Sequence, residues 1–319
     1  MLVPAYTYIA TALAVTAVGA IPVIVETDET LTISVEDAKK HISPQTKAII
    51  PVHIQGFPCN MDAIMELART HHIAVVEDAC QADGGSYKGR FLGTIGNAGA
   101  YSFNYYKVIT SGEGGLLVTD DRTLFERALI YHDSSAVAFF GDQLENVTQP
   151  VFGGTEFRVS DITGAILREQ LKKLPALIRD LRQNLDALRE QLDARLQVLP
   201  SHDPQGGCPT TLALRFETAE ECRRFVSRCA EKGLQLIIPI DTGKHVYTNW
   251  TPIMEKRGAL HPAMDPFKMT ANQGLQMDYT PDMCPRTLHT LSCTAYAAVN
   301  PDWEAQEIVN TAKILNSCI

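Results

Sequence analysis

Hydrophobic and polar positions in the first 120 residues alternate between short apolar runs and stretches of helical periodicity. The pattern predicts helices at about residues 9–18 and from Asn60 onward, with strands at residues 2–3, 22–25, 48–52 and 73–76. Strands that alternate with helices indicate βαβ units, in which parallel strands are joined by right-handed crossovers. We therefore expect an α/β fold built on a buried, mostly parallel sheet.

The first 25 residues contain no charged side chain, so a signal peptide or a membrane anchor is an alternative to this interpretation. We reject both because the run has no basic start and is interrupted by Pro4 and Pro22. Two strands and a helix buried in the centre of an α/β sheet would be equally uncharged. The sequence thus predicts no membrane partner.

The pattern changes after a glycine-rich stretch at residues 81–99, which we expect to be a long functional loop. Ser160 is the predicted N-cap of a helix that runs to about Leu196 with a kink at Pro175. Beyond it we predict a small α+β domain with strands at 211–216 and 235–239 and helices at 219–232 and 303–315. Residues 241–285, rich in proline, methionine and aromatics, are expected to form loops over a cleft.

These elements predict three parts: a large domain of residues 1–159, an interdomain helix of residues 160–200 and a small C-terminal domain of residues 201–319.

Composition excludes some classes of function. The formal charge of −9 and the absence of a basic stripe argue against a nucleic-acid partner. The eight cysteines show no C-x-x-C pair and no metal-like spacing, so we expect reduced thiols, no metal and a cytoplasmic protein.

Residues 102–115, SFNYYKVITSGEGG, place one lysine between a strand-like stretch and a glycine-rich turn. Asp78 ends one predicted strand and Lys107 follows another, so parallel topology would bring both to the same crevice. A Schiff-base lysine and an acid that holds a pyridine nitrogen protonated are the groups that pyridoxal 5'-phosphate (PLP) requires. Taken alone, Asp78 fits a helix cap or a structural salt bridge equally well.

Several motifs make the interpretation specific. The segments EDACQA (77–82), YKGRFLGTIGNAGAYSFNYYKVITSGEGGLLVTDD (87–121) and AIIPVHIQGFPCNMDAI (48–64) resemble the DegT/DnrJ/StrS family of sugar aminotransferases. PAYTYIATALAV near the start and EFRVSDITGAIL near residue 160 extend the similarity over most of the chain. The resemblance implies a PLP enzyme of fold type I, with a three-layer, mostly parallel sheet in the large domain and a smaller α+β C-terminal domain.

Matched position by position, the resemblance assigns roles to individual side chains. It implies that Lys107 is the Schiff-base lysine, that Asp78 binds the pyridine nitrogen and that Gln81 lies near the ring hydroxyl. Ser102 matches a phosphate ligand, and Tyr8 matches the aromatic that stacks on the cofactor. Substrate contacts or supporting contacts are expected from His53, Arg158 and Tyr106, although a histidine at a strand end is more often structural.

The sequence departs from the family pattern in three places. Family members carry a phosphate-binding Gly-Thr turn upstream of the strand at residues 2–4, and this sequence begins directly before that strand, so we expect the main phosphate cup to be missing. Glu156 stands where an asparagine commonly reaches the neighbouring subunit's phosphate. Cys293 stands where an arginine is common.

The principal hypothesis is a PLP-dependent aminotransferase that moves an amino group from glutamate or glutamine to a nucleotide-linked keto sugar or to a keto cyclitol, in amino sugar, polysaccharide or antibiotic biosynthesis. The dehydratase branch of the family is disfavoured, because its members have histidine in place of Lys107. A cofactor-free pseudoenzyme or assembly partner is the alternative from another class, since we expect the phosphate turn to be missing and Glu156 replaces an amide donor. The resemblance also implies a homodimer.

Overall fold

A computed structural model describes residues 1–134 and 147–319 of the chain. Its central sheet has six strands in the order β2-β1-β3-β4-β7-β8, parallel except for β8. The strands are β1 (Leu2–Pro4), β2 (Val23–Val25), β3 (Ala48–Ile49), β4 (Ala74–Asp78), β7 (Ala98–Ser102) and β8 (Gly115–Val118), while β5 (Ser86–Tyr87) and β6 (Arg90–Phe91) form a separate hairpin. The loop predicted at residues 81–99 therefore contains a short hairpin.

Helices connect and cover these strands. The α-helices are α1 (Ala10–Ala17), α2 (Val35–His41), α3 (Met61–His71), α4 (Arg122–His132), α5 (Asp161–Glu190), α6 (Ala219–Glu231), α7 (Thr251–Met254), α8 (Pro285–Ser292) and α9 (Ala305–Asn316). Short 3₁₀ helices lie at Ile54–Gly56, Pro239–Asp241, Gly243–His245, Tyr247–Asn249, Pro262–Met264, Pro266–Lys268 and Thr270–Asn272. The predicted caps form: Asn60 and Ser160 accept backbone N–H groups at the starts of α3 and α5.

Strands β1, β2 and β3 are largely buried on both faces of the central sheet, which explains why they carry no charged side chain. Leu2 packs with α2 and α3 on one face, whereas Val3 packs with α1 and Trp250 on the other. Successive strand residues point to opposite faces, so an unbroken apolar run supplies both layers. The fold is thus an α/β, three-layer, mostly parallel sheet with a smaller sheet domain attached.

The smaller sheet has the order β11-β10-β9, with β9 at Gln197–Val198, β10 at Thr211–Arg215 and β11 at Thr294–Ala298. It packs with α5, α6 and α9 around a second core that includes Leu185, Phe225 and Leu315. The strand predicted at residues 235–239 was wrong, because only Ile237 makes a bridge, to Tyr296, before the chain enters a 3₁₀ helix at Pro239. The alanine-rich β11, which gives little strand signal, pairs along all of β10 instead.

The long helix α5 and the loops after residue 241 agree with the sequence prediction except in detail. Pro175 lies inside α5, which ends at Glu190, earlier than the predicted end near Leu196. Residues 191–196 turn so that Leu196 enters the small core. Residues 247–284 pack partly against the large sheet through Tyr247, Trp250 and Cys284. The division of the chain into three parts stays a prediction.

Within residues 1–134 and 147–319, no helix is both long enough and apolar enough to cross a membrane. The uncharged residues 1–25 instead form β1 and β2 of the central sheet and the helix α1 between them. All eight cysteines are free thiols.

Candidate active site

Asp78 is the last residue of β4, at the carboxyl edge of the sheet. Thr11 Oγ1 donates to its Oδ2 at 2.7 Å, and the Cys80 N–H donates to its Oδ1 at 3.2 Å. Thr7 Oγ1 lies 2.8 Å from Thr11 Oγ1 and extends this chain of hydroxyls. The carboxylate is therefore held in one orientation, while each oxygen keeps a lone pair for a further donor.

Gln81 lies in the turn after β4, and its side chain is held by Gln55 from a separate segment. Its Oε1 accepts the Gln55 N–H at 2.9 Å. Gln55 has a left-handed backbone with φ of 52°, which is uncommon for a residue other than glycine, and its side chain accepts from Thr211 Oγ1 at 3.1 Å. Strain of this kind occurs where the surrounding structure fixes a functional group. Here it orients the amide of Gln81.

Lys107 lies in the turn between β7 and β8, where the sheet changes from parallel to antiparallel pairing. The Lys107 N–H donates to Asn104 O at 3.1 Å, and the turn closes through Phe103 N–H to Gly114 O at 2.9 Å. Gly112 (φ +88°) and Gly114 (φ +149°) adopt angles that side chains disfavour. The half-buried Lys107 amine has no hydrogen bond or ion pair among the residues that the structure describes.

Tyr8 lies at the start of α1 with 43% of its surface exposed, and its ring centroid is 5.4 Å from that of His245. His245 reaches this position because residues 5–9 and 244–247 pair through Thr7 N–H to His245 O at 2.9 Å and Ile9 N–H to Lys244 O at 3.0 Å. The sequence interpretation missed His245. Its only signal was a histidine within the loops predicted to cover the cleft.

His245 also contacts the amide that lies beside Asp78. Its Nε2 is 3.4 Å from Gln81 Nε2, and its Nδ1 is 3.5 Å from Thr242 O. Because an amide NH₂ can only donate, His245 Nε2 accepts and Nδ1 carries the proton. Burial lowers the pKa of His245, and the nearby Lys107 lowers it further. His245 is therefore a neutral, oriented ring between Tyr8 and Gln81.

His53 follows β3 and is completely buried. Its Nδ1 accepts the Cys59 N–H at 3.2 Å, and its Nε2 donates to Glu77 Oε2 at 3.0 Å. Both ring nitrogens are thus occupied, which leaves none for a substrate. His53 acts on the site only through Glu77, the neighbour of Asp78, and this arrangement favours a supporting role.

Ser102 and Tyr106 flank the lysine turn differently. Ser102 ends β7 opposite Gly115, on the same strand edge that leads to Lys107. Tyr106 is 88% exposed, and its ring meets that of Tyr105 edge to face at 5.3 Å. The structure gives Tyr106 no contact with Asp78 or Gln81 within the described chain. Both assignments stay predictions.

Arg158 forms an ion pair with Glu156, the residue that stands where the family commonly has asparagine. Its Nε and Nη2 donate to Glu156 at 3.0 and 2.8 Å, which raises the pKa of Arg158 and lowers that of Glu156. The negative charge of Glu156 is therefore balanced at its own position. Cys293 is buried at the end of α8, with Sγ 3.9 Å from the His289 ring nitrogens.

The side chains at the carboxyl edge fit PLP. An oriented carboxylate at Asp78 can accept from a protonated ring nitrogen, and the amide of Gln81 can serve a ring hydroxyl. Tyr8 offers an exposed aromatic face, and Lys107 offers an amine without a competing partner in the described residues. These four groups come from β4, the two turns that follow β4 and β7, and the start of α1.

Comparison with known proteins agrees with this arrangement. Residues 1–248 match the model of the DegT/DnrJ/EryC1/StrS aminotransferase family. A GDP-perosamine synthase of Escherichia coli O157:H7 is 34% identical over 236 residues, which are 74% of this chain and 63% of that protein. A GDP-perosamine synthase of Caulobacter vibrioides is 37% identical over 175 residues, 54% of this chain and 46% of the relative. The chain thus spans less than two thirds of the length of these relatives.

Solved structures share the fold. An aminotransferase from Psychrobacter cryohalolentis superposes with a TM-score of 0.77 at 24% identity, covering 99% of this chain and 80% of that one. The GDP-4-keto-6-deoxy-D-mannose-3-dehydratase of E. coli, solved with bound hydrated PLP, gives 0.77 at 22% identity, covering 98% and 79%. PLP, the cofactor implied by the resemblance, is confirmed as the cofactor of the family.

Proposed function

This chain belongs to the DegT/DnrJ/EryC1/StrS aminotransferase family, and we propose that it acts as a PLP-dependent aminotransferase. The acceptor is a keto sugar, most simply a nucleotide-linked one, or a keto cyclitol, and the amino donor is glutamate or glutamine. Perosamine synthases among the relatives support a nucleotide-linked acceptor. A lysine at position 107 favours amino transfer over the dehydratase reaction.

The observation that carries the proposal is the convergence of Asp78 and Lys107 at one edge of the sheet. Asp78 ends β4, and Lys107 follows the neighbouring strand β7. The Asp78 carboxylate is oriented by Thr11, and Lys107 is presented by the glycine-rich turn. In open α/β sheets this edge is where ligands bind.

Each side chain has a defined part in the proposed reaction. When bound, PLP supplies an electron sink for the charge that develops at the substrate carbon. Asp78 holds a proton on the ring nitrogen by accepting its hydrogen bond, and Tyr8 covers one face of the ring. Lys107 holds the proton that leaves and rejoins the substrate carbon, because its amine has the reach of a four-carbon chain and no partner among the described residues.

We propose that the chain works as a homodimer. Several large apolar side chains near the lysine turn are exposed, including Tyr105, Leu116 and Leu117. Leu116 and Leu117 lie on β8, an edge strand whose outer side pairs with no strand among the described residues, and they point to opposite faces of it. A second copy would cover this surface and add groups to the site.

The test is an absorption spectrum of the purified chain with added PLP, compared for wild type, Lys107→Ala and the matched control Lys173→Ala, an exposed lysine on α5. We expect a visible band in wild type and in the control, and loss of that band in Lys107→Ala, because the bond to the cofactor forms only through Lys107.

Wild type with the band is then incubated with glutamate and candidate keto sugars, and amino sugar formation is measured by mass spectrometry. A band that survives Lys107→Ala would refute the assigned lysine. No band in any variant would refute the catalytic proposal and favour the cofactor-free assembly partner.

A further inference from the structure

The side-chain amide of Gln81 is contacted at both of its ends. Its Oε1 accepts the Gln55 N–H at 2.9 Å, and its Nε2 lies 3.4 Å from His245 Nε2. A backbone N–H can only donate, so the end of the amide that meets Gln55 must be the oxygen. Half a turn of the amide would place its NH₂ group against that N–H, and both are donors. The nitrogen of Gln81 therefore faces His245, and the orientation of the amide is fixed.

The fixed amide keeps one donor unused. An amide NH₂ group has two N–H bonds, and the amide oxygen has two lone pairs. Gln55 and His245 take one of each, and no other hydrogen bond reaches the Gln81 side chain within residues 1–134 and 147–319. The ring oxygen of PLP is an acceptor once it has lost its proton, so an N–H is the group that complements it. One N–H of Gln81 thus remains for such a ligand.

The His245 ring is held in place independently of Gln81. Its Nδ1 lies 3.5 Å from Thr242 O, and the His245 carbonyl accepts the Thr7 N–H at 2.9 Å. Its ring centroid is 5.4 Å from that of Tyr8 and 6.3 Å from that of Tyr6, at interplanar angles of 57° and 52°. Tilted ring pairs at such distances are favourable. The ring therefore keeps its position through contacts that do not involve the amide.

The loop that carries His245 is also braced from within. Trp250 is completely buried, and its Nε1 donates to Lys244 O at 2.9 Å. Asn249 Nδ2 donates to Gly243 O at 2.9 Å. These bonds join the residues before His245 to those after it. Because the ring has its own supports, His245 orients the amide rather than the reverse.

We propose that His245 is a positioning residue that holds the Gln81 amide so that its second N–H is free to donate to the ring oxygen of bound PLP. His245 acts through Gln81 and needs no contact with the reacting atoms. The role requires a ring nitrogen that accepts, and burial, which lowers the pKa of His245, favours this neutral form. The contact of His245 with Gln81 exists without cofactor, whereas the use of the free N–H rests on the proposed function.

The contact is tested by a double-mutant cycle on the full chain without cofactor, at about pH 8, where the imidazole is neutral. The free energy of unfolding in urea is measured for wild type, Gln81→Leu, His245→Leu and the double variant. We expect non-additivity of at least about threefold in the unfolding equilibrium constant, because either change alone removes the same hydrogen bond. His71→Leu, at an exposed position on α3, should be additive with Gln81→Leu. Additive changes from His245→Leu, in variants that circular dichroism shows to be folded, would overturn the proposal.

The positioning role is tested by PLP titration of the same variants, and the readout is the PLP concentration that gives half of the visible band. His245→Leu should raise this concentration at least about threefold, because the amide loses one of its two supports. His245→Gln should stay within about twofold of wild type, because its side-chain oxygen can still accept from Gln81. In chains that already carry Gln81→Leu, His245→Leu should have no further effect.

The outcomes distinguish the positioning role from the proposed function. An effect of His245→Leu that persists undiminished in Gln81→Leu chains would show that His245 acts without the amide, and it would overturn the positioning role. Failure of His245→Gln to restore PLP binding would overturn it as well. Coupling in the cofactor-free chain without a visible band in any variant would support the contact and refute the proposed function, so the two failures are distinguishable.

Discussion

Single residues at the carboxyl edge have roles that depend on which face of a strand they occupy. Glu77 and Asp78 are adjacent acids, yet Glu77 points to a buried loop whereas Asp78 meets Thr11 beside the candidate cofactor position. Strand side chains alternate between faces, so neighbours in sequence become separated in function. His245 shows the converse, because it approaches Gln81 across 164 positions.

His245 makes stability depend on pH in a defined direction. Its pKa in the folded chain is lowered by burial, so the unfolded chain binds more protons near its ordinary value of about 6.5. Stability is then present above that value and is lost as the pH falls towards the folded pKa. We expect His245→Gln to remove this loss, as measured by urea unfolding at a series of pH values.

Asp83 has a raised pKa and gives the opposite slope, with stability lost as pH rises from about 4 to about 7. Urea unfolding with and without His245→Gln is therefore compared in chains that also carry Asp83→Asn, so that the slope due to Asp83 is absent from both. His71→Gln, an exposed position on α3, is the control and should leave the slope unchanged. An unaltered slope in His245→Gln would show that this ring is not the titrating group.

The element that supports the site is the loop between β6 and β7, which is held by one carboxylate. Glu77 accepts from Gly93 N–H at 2.8 Å, Ile95 N–H at 2.5 Å and Gly96 N–H at 2.6 Å, and also from His53. Burial alone would raise the pKa of Glu77, but the hydrogen bonds from His53 and from this loop outweigh burial and lower it. The end of β4, and hence Asp78, is held in place by these bonds.

Replacing Glu77 by Gln should therefore destabilise the fold by about 2–4 kcal/mol, because a buried acceptor of four hydrogen bonds is replaced by an amide that also carries donors. The depressed pKa further means that wild type loses this stabilisation as pH falls below about 4.3, a loss that Glu77→Gln lacks. The measurement is denaturant unfolding at neutral and acidic pH.

Glu66→Gln provides the control, since Glu66 pairs with Arg69 on the exposed face of α3 and should change stability by less than about 0.5 kcal/mol. Equal effects of the two substitutions would contradict the assigned role of Glu77.

At the scale of the whole molecule, the two edge strands of the central sheet differ in exposure, because β2 is largely buried and β8 is largely exposed. On the inner strands both faces are covered, but Leu116 and Leu117 on β8 are 49% and 45% exposed. Exposed edge strands with apolar side chains on both faces are prone to association. The proposed homodimer would bury them together with the lysine turn.

We expect light scattering after size exclusion to give twice the 35.1 kDa chain mass for wild type. Leu116→Glu combined with Leu117→Glu should give the single chain mass, because buried carboxylates oppose association. Leu260→Glu, at a fully exposed leucine outside this surface, should leave the mass unchanged. A monomeric wild type, or a dimer that persists in the double variant, would refute this interface.

Much of the fold could be predicted because its signals are local. The caps at Asn60 and Ser160, the apolar strands and the helical periodicities depend on residues close in the chain, and the structure confirms them. The failures were non-local. The strand expected at residues 235–239 is reduced to one bridge from Ile237 to Tyr296 of β11. Strand β11, which has a weak local signal, is decided by pairing with β10, far from it in the sequence.

The same distinction applies to the site. The sequence by itself determined the βαβ order, the turn that presents Lys107 and the family of the chain, since these depend on local pattern and motif. Only the tertiary structure decided that His53 is enclosed, that His245 joins Tyr8 and Gln81, and that Asp83 is buried. Burial and long-range contact arise when distant segments pack together, and one-dimensional spacing carries no measure of either.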